Sequence, residues 1–260
     1  MVPVPGTCHV PGVKIPVGIF FCYHYICLII FFSVNFEAYT MSAVSIDYYL
    51  AYVHQQLNIP DKVLSISLNI LHSRYQESHR YYHTEEHILD LLSLYEKYKD
   101  HINDKICFIL SILFHDVIYE VNEMGKDNEL NSANLFADLY NEYISDEIIN
   151  KVKLYIIETK NHNVFYACDE DLKLFIDMDM SILGRDYTSY LEYCKCIRQE
   201  YIHIDKITYC QKRSQILTSF LTNTLSIYSS QIFQSLYEIS ARNNVEKEII
   251  WLQDTNNLID

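Results

Sequence analysis

Histidines and aspartates recur along this chain in an order that suits a divalent metal ion. His83 closes the run Arg-Tyr-Tyr-His, His115 and Asp116 are adjacent, and Asp177 and Asp179 form a later acidic pair. Imidazole nitrogens and carboxylate oxygens together suit an ion that must also leave room for water and a phosphate oxygen, whereas thiolate-rich sets suit structural zinc. These residues predict a metal-dependent hydrolase.

A strongly apolar run leads into the His-Asp pair. Residues 108–114 read Phe-Ile-Leu-Ser-Ile-Leu-Phe, so His115 and Asp116 stand at the end of a buried helix, where polar groups need partners. A lone buried histidine is more often a hydrogen-bonded core residue than a ligand, but the adjacent aspartate favours a metal. Neighbouring side chains on a helix diverge by about 100°, so one ion can take both only near the helix end.

Two further histidines stand at the start of another predicted helix. His83 and His87 are four residues apart, which predicts that they share one helical face. They could bind metal, or they could be a solvated pair in a first turn. The pattern His83-x-x-Glu86-His87 also fits the signature of inverted zinc peptidases, with Glu86 as general base. That alternative needs a carboxylate ligand on a later helix and leaves the His-Asp pair without a role.

The elements that must position these residues are predicted to be helices. After residue 18 the chain of 260 residues contains only Pro60, Gly125 and Gly184 as breakers, and apolar residues recur with a period of 3.6. One such stripe follows His87 over residues 88–95. We therefore expect a compact all-α bundle over residues 41–260, with the metal-type residues at its centre.

Composition limits the classes of partner. The formal net charge is −14, from 34 acidic and 20 basic residues, which argues against general nucleic-acid binding because no basic stripe exists to neutralise a phosphate backbone. A small phosphorylated ligand is compatible with this charge. The eight cysteines form no CxxC pair, which indicates reduced thiols and a cytoplasmic protein.

The first 40 residues differ from the rest and form a separate N-terminal extension. Residues 17–34 are an apolar and aromatic run of 18 residues, near the lower limit for crossing a bilayer. They could be a membrane anchor, which is the alternative to a cytoplasmic location. We favour the other interpretation, in which Met41 is the functional start and the extension adds nothing to the fold. The extension contributes no candidate catalytic residue in either case.

The candidate metal ligands belong to a longer series of motifs that runs along the chain. These motifs are Arg80-Tyr-Tyr-His83-Thr-x-x-His87-Ile, Phe114-His115-Asp116-x-x-Tyr119, Asp127-Asn128-Glu129 with Ser132-Ala133, Thr159-x-x-His162, Asp177-x-Asp179-x-x-x-Leu183-Gly184, Ile197-Arg198-x-Glu200-Tyr201 and Ala241-Arg242-Asn243-Asn244. From about residue 45 onward the chain resembles the HD-domain superfamily of metal-dependent phosphohydrolases, and more closely a subfamily of small predicted HD phosphohydrolases. An ordered series is far more specific than any one motif.

The resemblance implies an all-helical HD-type domain with one or two divalent ions at its centre. The implied ligands are His83, His115, Asp116 and a late aspartate, for which Asp179 is favoured over Asp177. The identity of the ion stays open among Mn, Mg, Fe, Ni and Zn, because mixed nitrogen and oxygen ligands accept most of them.

Other residues are implied to serve a second ion or the substrate phosphate. His87 and His162 fall where the superfamily often places extra histidines, and Asp177 is a further candidate for this role. His162 is equally compatible with an exposed loop. Asp116 is the expected base or water orienter, and Glu129 a general acid or a support for the ligands. The cations expected to neutralise phosphate are Arg80, Arg198 and Lys126. Arg198 and Glu200 could instead form an ion pair that locks the C-terminal helices.

These observations predict a metal-dependent phosphohydrolase that cleaves a phosphoester bond of a small phosphorylated metabolite or nucleotide. Two alternatives stay open. One is the metallopeptidase built on His83, Glu86 and His87. The other is a non-catalytic member that binds a metal or nucleotide to regulate a partner.

Overall fold

The computed structural model describes residues 44–121, 127–162, 168–222 and 225–254. By its contacts the chain divides into residues 1–43 and 44–260, and all that follows concerns the second unit. The apolar run 17–34, the proposed start at Met41 and the predicted phosphate ligand Lys126 lie outside the described residues. No helix in the described ranges is both long enough and apolar enough to cross a membrane.

The described residues contain ten α-helices and no strand, which confirms the prediction of an all-α fold. Two short 3₁₀ helices, Lys99–His101 and Met180–Gly184, extend α3 and α7. The helices are α1 Ile46–Leu57, α2 Asp61–Tyr75, α3 Glu85–Tyr98, α4 Lys105–Phe114, α5 Asn128–Tyr140, α6 Asp146–Glu158, α7 Glu170–Asp179, α8 Tyr187–Glu200, α9 Lys206–Thr222 and α10 Gln231–Gln253.

Helix α4 lies at the centre of the bundle. All its residues from Cys107 to Phe114 are buried, and it packs against α1, α3, α5, α6 and α7. A helix that is apolar on every side has to be surrounded by protein. The carboxylate of Asp104 caps its first turn by accepting a hydrogen bond from the backbone N–H of Cys107 at 3.0 Å. The helix ends at Phe114, so the His-Asp pair follows directly at the end of the most buried helix.

Helix α3 carries His87 on its buried face. The predicted stripe Ile88, Leu91, Leu92 and Tyr95 is buried with it. The helix begins only at Glu85, however, with Thr84 as its N-cap residue. The prediction that His83 and His87 share a helical face is therefore wrong, because His83 belongs to the preceding loop. Hydrogen bonds from the backbone N–H groups of residues 81–83 to Glu200 hold that loop in place.

The end of α7 is fixed by close packing against α10. The 3₁₀ helix that follows Asp179 packs on α10 and brings Gly184 against it. A Cβ atom at Gly184 would lie 2.9 Å from the backbone oxygen of Tyr237 and 2.8 Å from the hydroxyl of Tyr228. Only a residue without a side chain fits this approach. The 3₁₀ helix that directly follows Asp179 is thus fixed against α10.

Candidate metal centre

Four side-chain atoms converge at the end of α4. Nε2 of His115 lies 3.0 Å from Oδ2 of Asp116 and 3.3 Å from Nε2 of His87. Oδ1 of Asp179 lies 3.1 Å from Nε2 of His87. His87 and His115 are buried, and Asp116 is partly buried. His87, His115 and Asp116 together could hold a metal ion, since one ligand atom of each lies within 4.8 Å of the others.

The spacing of these atoms fits one shared ion. Bonds of about 2.1 Å place neighbouring ligand atoms about 3.0 Å apart around an octahedral ion and about 3.4 Å apart around a tetrahedral one. Three of the contacts fall in this range, and the other two, Asp179 to His115 at 3.6 Å and Asp116 to His87 at 3.9 Å, are somewhat wider. Two imidazole nitrogens that face each other across 3.3 Å gain from a cation that accepts both lone pairs.

The tautomer of His115 suits a ligand. Its Nδ1 lies 2.9 Å from the backbone oxygen of Ile112, and because a carbonyl can only accept, Nδ1 must carry the proton. Nε2 is left with its lone pair toward the carboxylates. Burial lowers the pKa of His115, but the charges of Asp116 and Asp179 raise it well above its usual value. These carboxylates therefore favour positive charge at Nε2, whether a proton or a metal carries it.

The pKa values of Asp116 and Asp179 shift in the opposite direction to that of His115. Burial raises the pKa of each, but hydrogen bonds and charge from the histidines lower the pKa of Asp116 and of Asp179 well below the usual range. Both groups are therefore ionised at neutral pH. Two carboxylates opposite two neutral imidazoles would neutralise a divalent cation.

His162 meets the second oxygen of Asp179. Its Nε2 lies 3.4 Å from Oδ2 of Asp179, while Oδ1 of the same carboxylate faces His87 and His115. The backbone of His162 is in the left-handed region, with φ of 50°. A residue other than glycine adopts this conformation at a cost, so its surroundings hold it there. Of the two interpretations left open, this contact favours a role at the site.

Asp177 lies apart from the histidines. Its side chain is fully buried and accepts hydrogen bonds from the backbone N–H groups of Ser229 and Ser230 at 2.7 and 2.6 Å. These two residues immediately precede α10, and Ser230 is its N-cap. Burial, partly offset by these bonds, raises the pKa of Asp177 to about 6. Residues two apart on a helix point in widely different directions, so Asp179 reaches the candidate metal centre and Asp177 anchors α10.

His83 lies beside this set and is held by Glu200. Its Nδ1 lies 2.8 Å from Oε2 of Glu200, and its ring stacks on that of Tyr119 with centroids 4.1 Å apart. The ring centroids of His83 and His87 are 6.1 Å apart. Burial lowers the pKa of His83, whereas the hydrogen bond and charge of Glu200 raise it, and the net effect is a raised pKa.

Arg80 and Arg198 are engaged with the protein itself. Arg80 is buried and donates to the carboxylate of Glu77 and to the backbone oxygens of His83, Asp116 and Val117. Arg198 donates to the backbone oxygens of Tyr201 and Ile204 at 2.6 and 3.1 Å, beyond the end of α8. These contacts engage four of the five N–H donors of Arg80 and two of those of Arg198, so phosphate binding by either arginine stays a prediction. The alternative ion pair of Arg198 with Glu200 does not fit this placement, since Glu200 turns to His83.

The Asp127-Asn128-Glu129 motif supports the chain that leaves the His-Asp pair. Asn128 exchanges two hydrogen bonds of 3.0 Å with the backbone of Glu120. Oε2 of Glu129 is buried and lies 3.6 Å from Nζ of Lys160, two residues before His162. Glu129 therefore lies against the segment that carries His162, and the catalytic role predicted for it stays a prediction.

Glu200 is the residue whose part in the site the sequence did not predict. Both of its oxygens are occupied, and its pKa is lowered to about 2 because its hydrogen bonds and the charge of His83 outweigh burial. One signal was available. Tyr190 and Ile197 are buried on α8, and Glu200 continues their spacing, so the pattern places a carboxylate on a buried face, where it needs partners.

Comparisons with family models, with curated proteins and with solved structures yield no match to this chain.

Proposed function

We propose that this protein is a metal-dependent phosphohydrolase of the HD type. The observation that carries the proposal is the convergence of His87, His115 and Asp116 at the end of α4, with Asp179 at 3.1 Å from His87. Residues from three separate helical segments supply these atoms. The order of the motifs from Arg80 to Asn244 adds support, because fold alone does not fix function.

The donor set suits an ion that activates water. Two imidazoles and two carboxylates fit Mn, Fe, Ni or Zn, and Mg less well, since Mg²⁺ prefers oxygen ligands. When bound, such an ion lowers the pKa of water and draws charge from a phosphate oxygen. The protein's own part is to turn Nε2 of His115 toward the ion, because Nδ1 donates to the backbone oxygen of Ile112, and to hold Asp116 where it can orient water, since Arg80 binds the backbone oxygen of Asp116.

We expect a histidine and a lysine to bind the substrate phosphate. Arg80 and Arg198 already satisfy backbone oxygens. His162 reaches Asp179, and the side chain of Lys160 near it is 44% exposed, with Nζ at 3.6 Å from Glu129. We therefore assign phosphate binding to His162 and Lys160, with Lys126 as a further candidate. A small phosphorylated metabolite or nucleotide remains the proposed substrate.

The peptidase alternative has less support. It requires Glu86 as a general base next to the ion, but Glu86 is exposed in the first turn of α3. His83 is bound to Glu200 in the loop before that helix. The carboxylates that do face His87 are Asp116 and Asp179.

The test compares two histidine variants of the full chain. His115→Gln removes a proposed ligand, and His54→Gln removes another buried histidine, which contacts Tyr140. Metal content is measured by elemental analysis and phosphate release with p-nitrophenyl phosphate, after loading with each ion. We expect stoichiometric metal and metal-dependent release from the wild type and from His54→Gln, and loss of both from His115→Gln. A folded wild type that retains no metal under any loading condition refutes the proposal.

A further inference from the structure

Glu200 forms an unusually complete set of hydrogen bonds. Oε1 accepts from the backbone N–H groups of Tyr81, Tyr82 and His83 at 2.8, 2.8 and 3.0 Å. Oε2 accepts from Nδ1 of His83 at 2.8 Å and from the hydroxyl of Tyr119 at 2.9 Å. A buried carboxylate gains strongly from such donors. This single side chain, at the end of α8, ties together the loop before α3 and the segment after the His-Asp pair.

The arrangement fixes the tautomer of His83. An ionised carboxylate can only accept hydrogen bonds, so Nδ1 of His83 must carry a proton, and in the neutral ring Nε2 holds the lone pair. Stacking on Tyr119 at 4.1 Å limits rotation of the ring. The centroids of His83 and His87 are 6.1 Å apart, against 5.4 Å for His87 and His115, which already face each other. The ring of His83 thus lies beside that of His87, at the edge of the candidate metal centre.

We propose that Glu200 is a positioning residue that holds His83 as the Nδ1–H tautomer, so that Nε2 serves as a ligand at the centre formed by His87, His115 and Asp116. The inference rests on the metal site of the proposed function but not on phosphate hydrolysis. Carboxylates that orient a ligating imidazole in this way raise its basicity, and their loss typically lowers metal affinity about 10- to 100-fold. Tyr119 would assist by filling the second acceptor site of Oε2.

Glu200→Gln tests the tautomer directly. The amide oxygen can still accept from the backbone N–H groups of residues 81–83, but the amide N–H₂ would face Nδ1 of His83. Two donors cannot share a hydrogen bond, so the ring is expected to move its proton to Nε2. Nε2 would then be unable to ligate. A purely structural role for Glu200 would not produce this exchange.

Asp171→Asn is the matched control. Asp171 is also a buried carboxylate, and it accepts from the backbone N–H groups of Asn103 and Asp104 at 2.9 and 2.8 Å, but it contacts no histidine of the centre. Asp171→Asn therefore shows how far the loss of a carboxylate that binds backbone N–H groups changes the tautomer of His83 and the Zn²⁺ affinity. The signal of His83 is assigned by its disappearance in His83→Gln.

The measurements are nitrogen NMR of ¹⁵N-histidine-labelled full chain, free of metal and at alkaline pH, and Zn²⁺ affinity by calorimetry. We expect the Nδ1–H tautomer for His83 in the wild type and in Asp171→Asn. We expect the Nε2–H tautomer and about 10- to 100-fold weaker Zn²⁺ binding in Glu200→Gln. A Glu200→Gln protein with the wild-type tautomer and affinity overturns the proposal.

Two further outcomes keep the inference separate from the proposed function. If Glu200→Gln does not fold, the wild-type spectrum still tests the proposal. An Nε2–H tautomer of His83 in the wild type contradicts the proposed Nδ1–H tautomer. If no ion supports phosphate release but the tautomer and Zn²⁺ affinity change as expected, the hydrolase fails and the positioning role stands. A wild type that binds no ion overturns the ligand role of His83 whatever its tautomer.

Discussion

Arg80 donates a hydrogen bond of 2.7 Å from Nη1 to the backbone oxygen of Asp116, and the same nitrogen donates to the backbone oxygen of His83 at 3.0 Å. One guanidinium nitrogen thus links the loop before α3 to the residue just beyond α4. Nη2 donates to Val117 at 3.1 Å, and Nε donates to Glu77 at 3.0 Å. Because the guanidinium is planar, these donors set the relative position of the two segments that supply His83 and Asp116.

Replacing Arg80 by lysine should therefore destabilise the two segments that it links, and with them the candidate metal centre. A lysine has one ammonium group and cannot reach all these acceptors, so buried carbonyls lose their partners at about 1–3 kcal/mol each. We expect the free energy of unfolding of Arg80→Lys to be several kcal/mol lower than that of the wild type. We also expect its affinity for metal to be lower. Chemical denaturation and calorimetry with Zn²⁺ measure the two quantities.

Arg74→Lys is the control for this change. Arg74 also pairs with Glu77, at 2.9 Å, but its side chain is 41% exposed, so its replacement should change stability by less than about 1 kcal/mol. If Arg80→Lys kept wild-type stability and metal affinity and raised only the KM for a phosphate ester, Arg80 would be a phosphate ligand after all.

Parts of this arrangement could be predicted because they depend on local sequence. The apolar run 108–114 has no polar face, which predicts a helix surrounded by protein. The adjacency of His115 and Asp116 places both at its end, and there the 3.0 Å contact between them is found. The breaker-poor sequence predicted the all-α class. These features require only helical periodicity and burial.

The remaining features depend on contacts between distant segments. His83 leaves the helix because Glu200, 117 residues away, binds its backbone N–H and its ring. The hydrogen bonds of Arg80 and Arg198 to backbone oxygens could not be predicted, because a sequence does not show which carbonyl groups lie near a side chain. The sequence does not distinguish Asp177 from Asp179, because the backbone N–H groups that bind Asp177 belong to Ser229 and Ser230, more than 50 residues away. Residue types predicted a cluster that could hold a metal ion, but contacts between distant segments determine which residues form it.

The aspartate pair offers a test of which carboxylate serves the ion. Asp179→Asn replaces a carboxylate that lies 3.1 Å from His87 and 3.4 Å from His162. An amide is a weaker ligand and carries no charge, so we expect loss of stoichiometric metal and of any metal-dependent phosphate release. Elemental analysis and phosphate assays on the full chain measure both.

Asp177→Asn is the matched change two residues earlier. It should lower the free energy of unfolding by about 1–3 kcal/mol, because an amide cannot accept from both Ser229 and Ser230 as the carboxylate does. Its metal content should match the wild type. The assignment would be reversed if Asp177→Asn lost the metal and Asp179→Asn kept it.

A third test concerns stability rather than the metal centre, and it uses the buried His54. Nε2 of His54 lies 2.9 Å from the hydroxyl of Tyr140, which itself donates to Ser67, so Nε2 is the donor. Nδ1 of His54 is buried and has no hydrogen-bond partner within the described part of the chain. A second proton on the ring would therefore have no acceptor. Burial lowers the pKa of His54 to about 4 from its ordinary value of 6.5.

This lowered pKa makes stability depend on pH in a definite direction. Between pH 6.5 and about 4 the unfolded chain binds a proton at His54 that the folded chain does not, so the free energy of unfolding falls as the pH falls through this window. The full effect is about 3 kcal/mol. His54→Gln keeps an N–H donor for Tyr140 but does not titrate. Its stability deficit relative to the wild type should therefore shrink by up to that amount on acidification, as measured by denaturation at a series of pH values. A deficit that stayed constant across the window would mean that His54 titrates alike in the folded and unfolded chain.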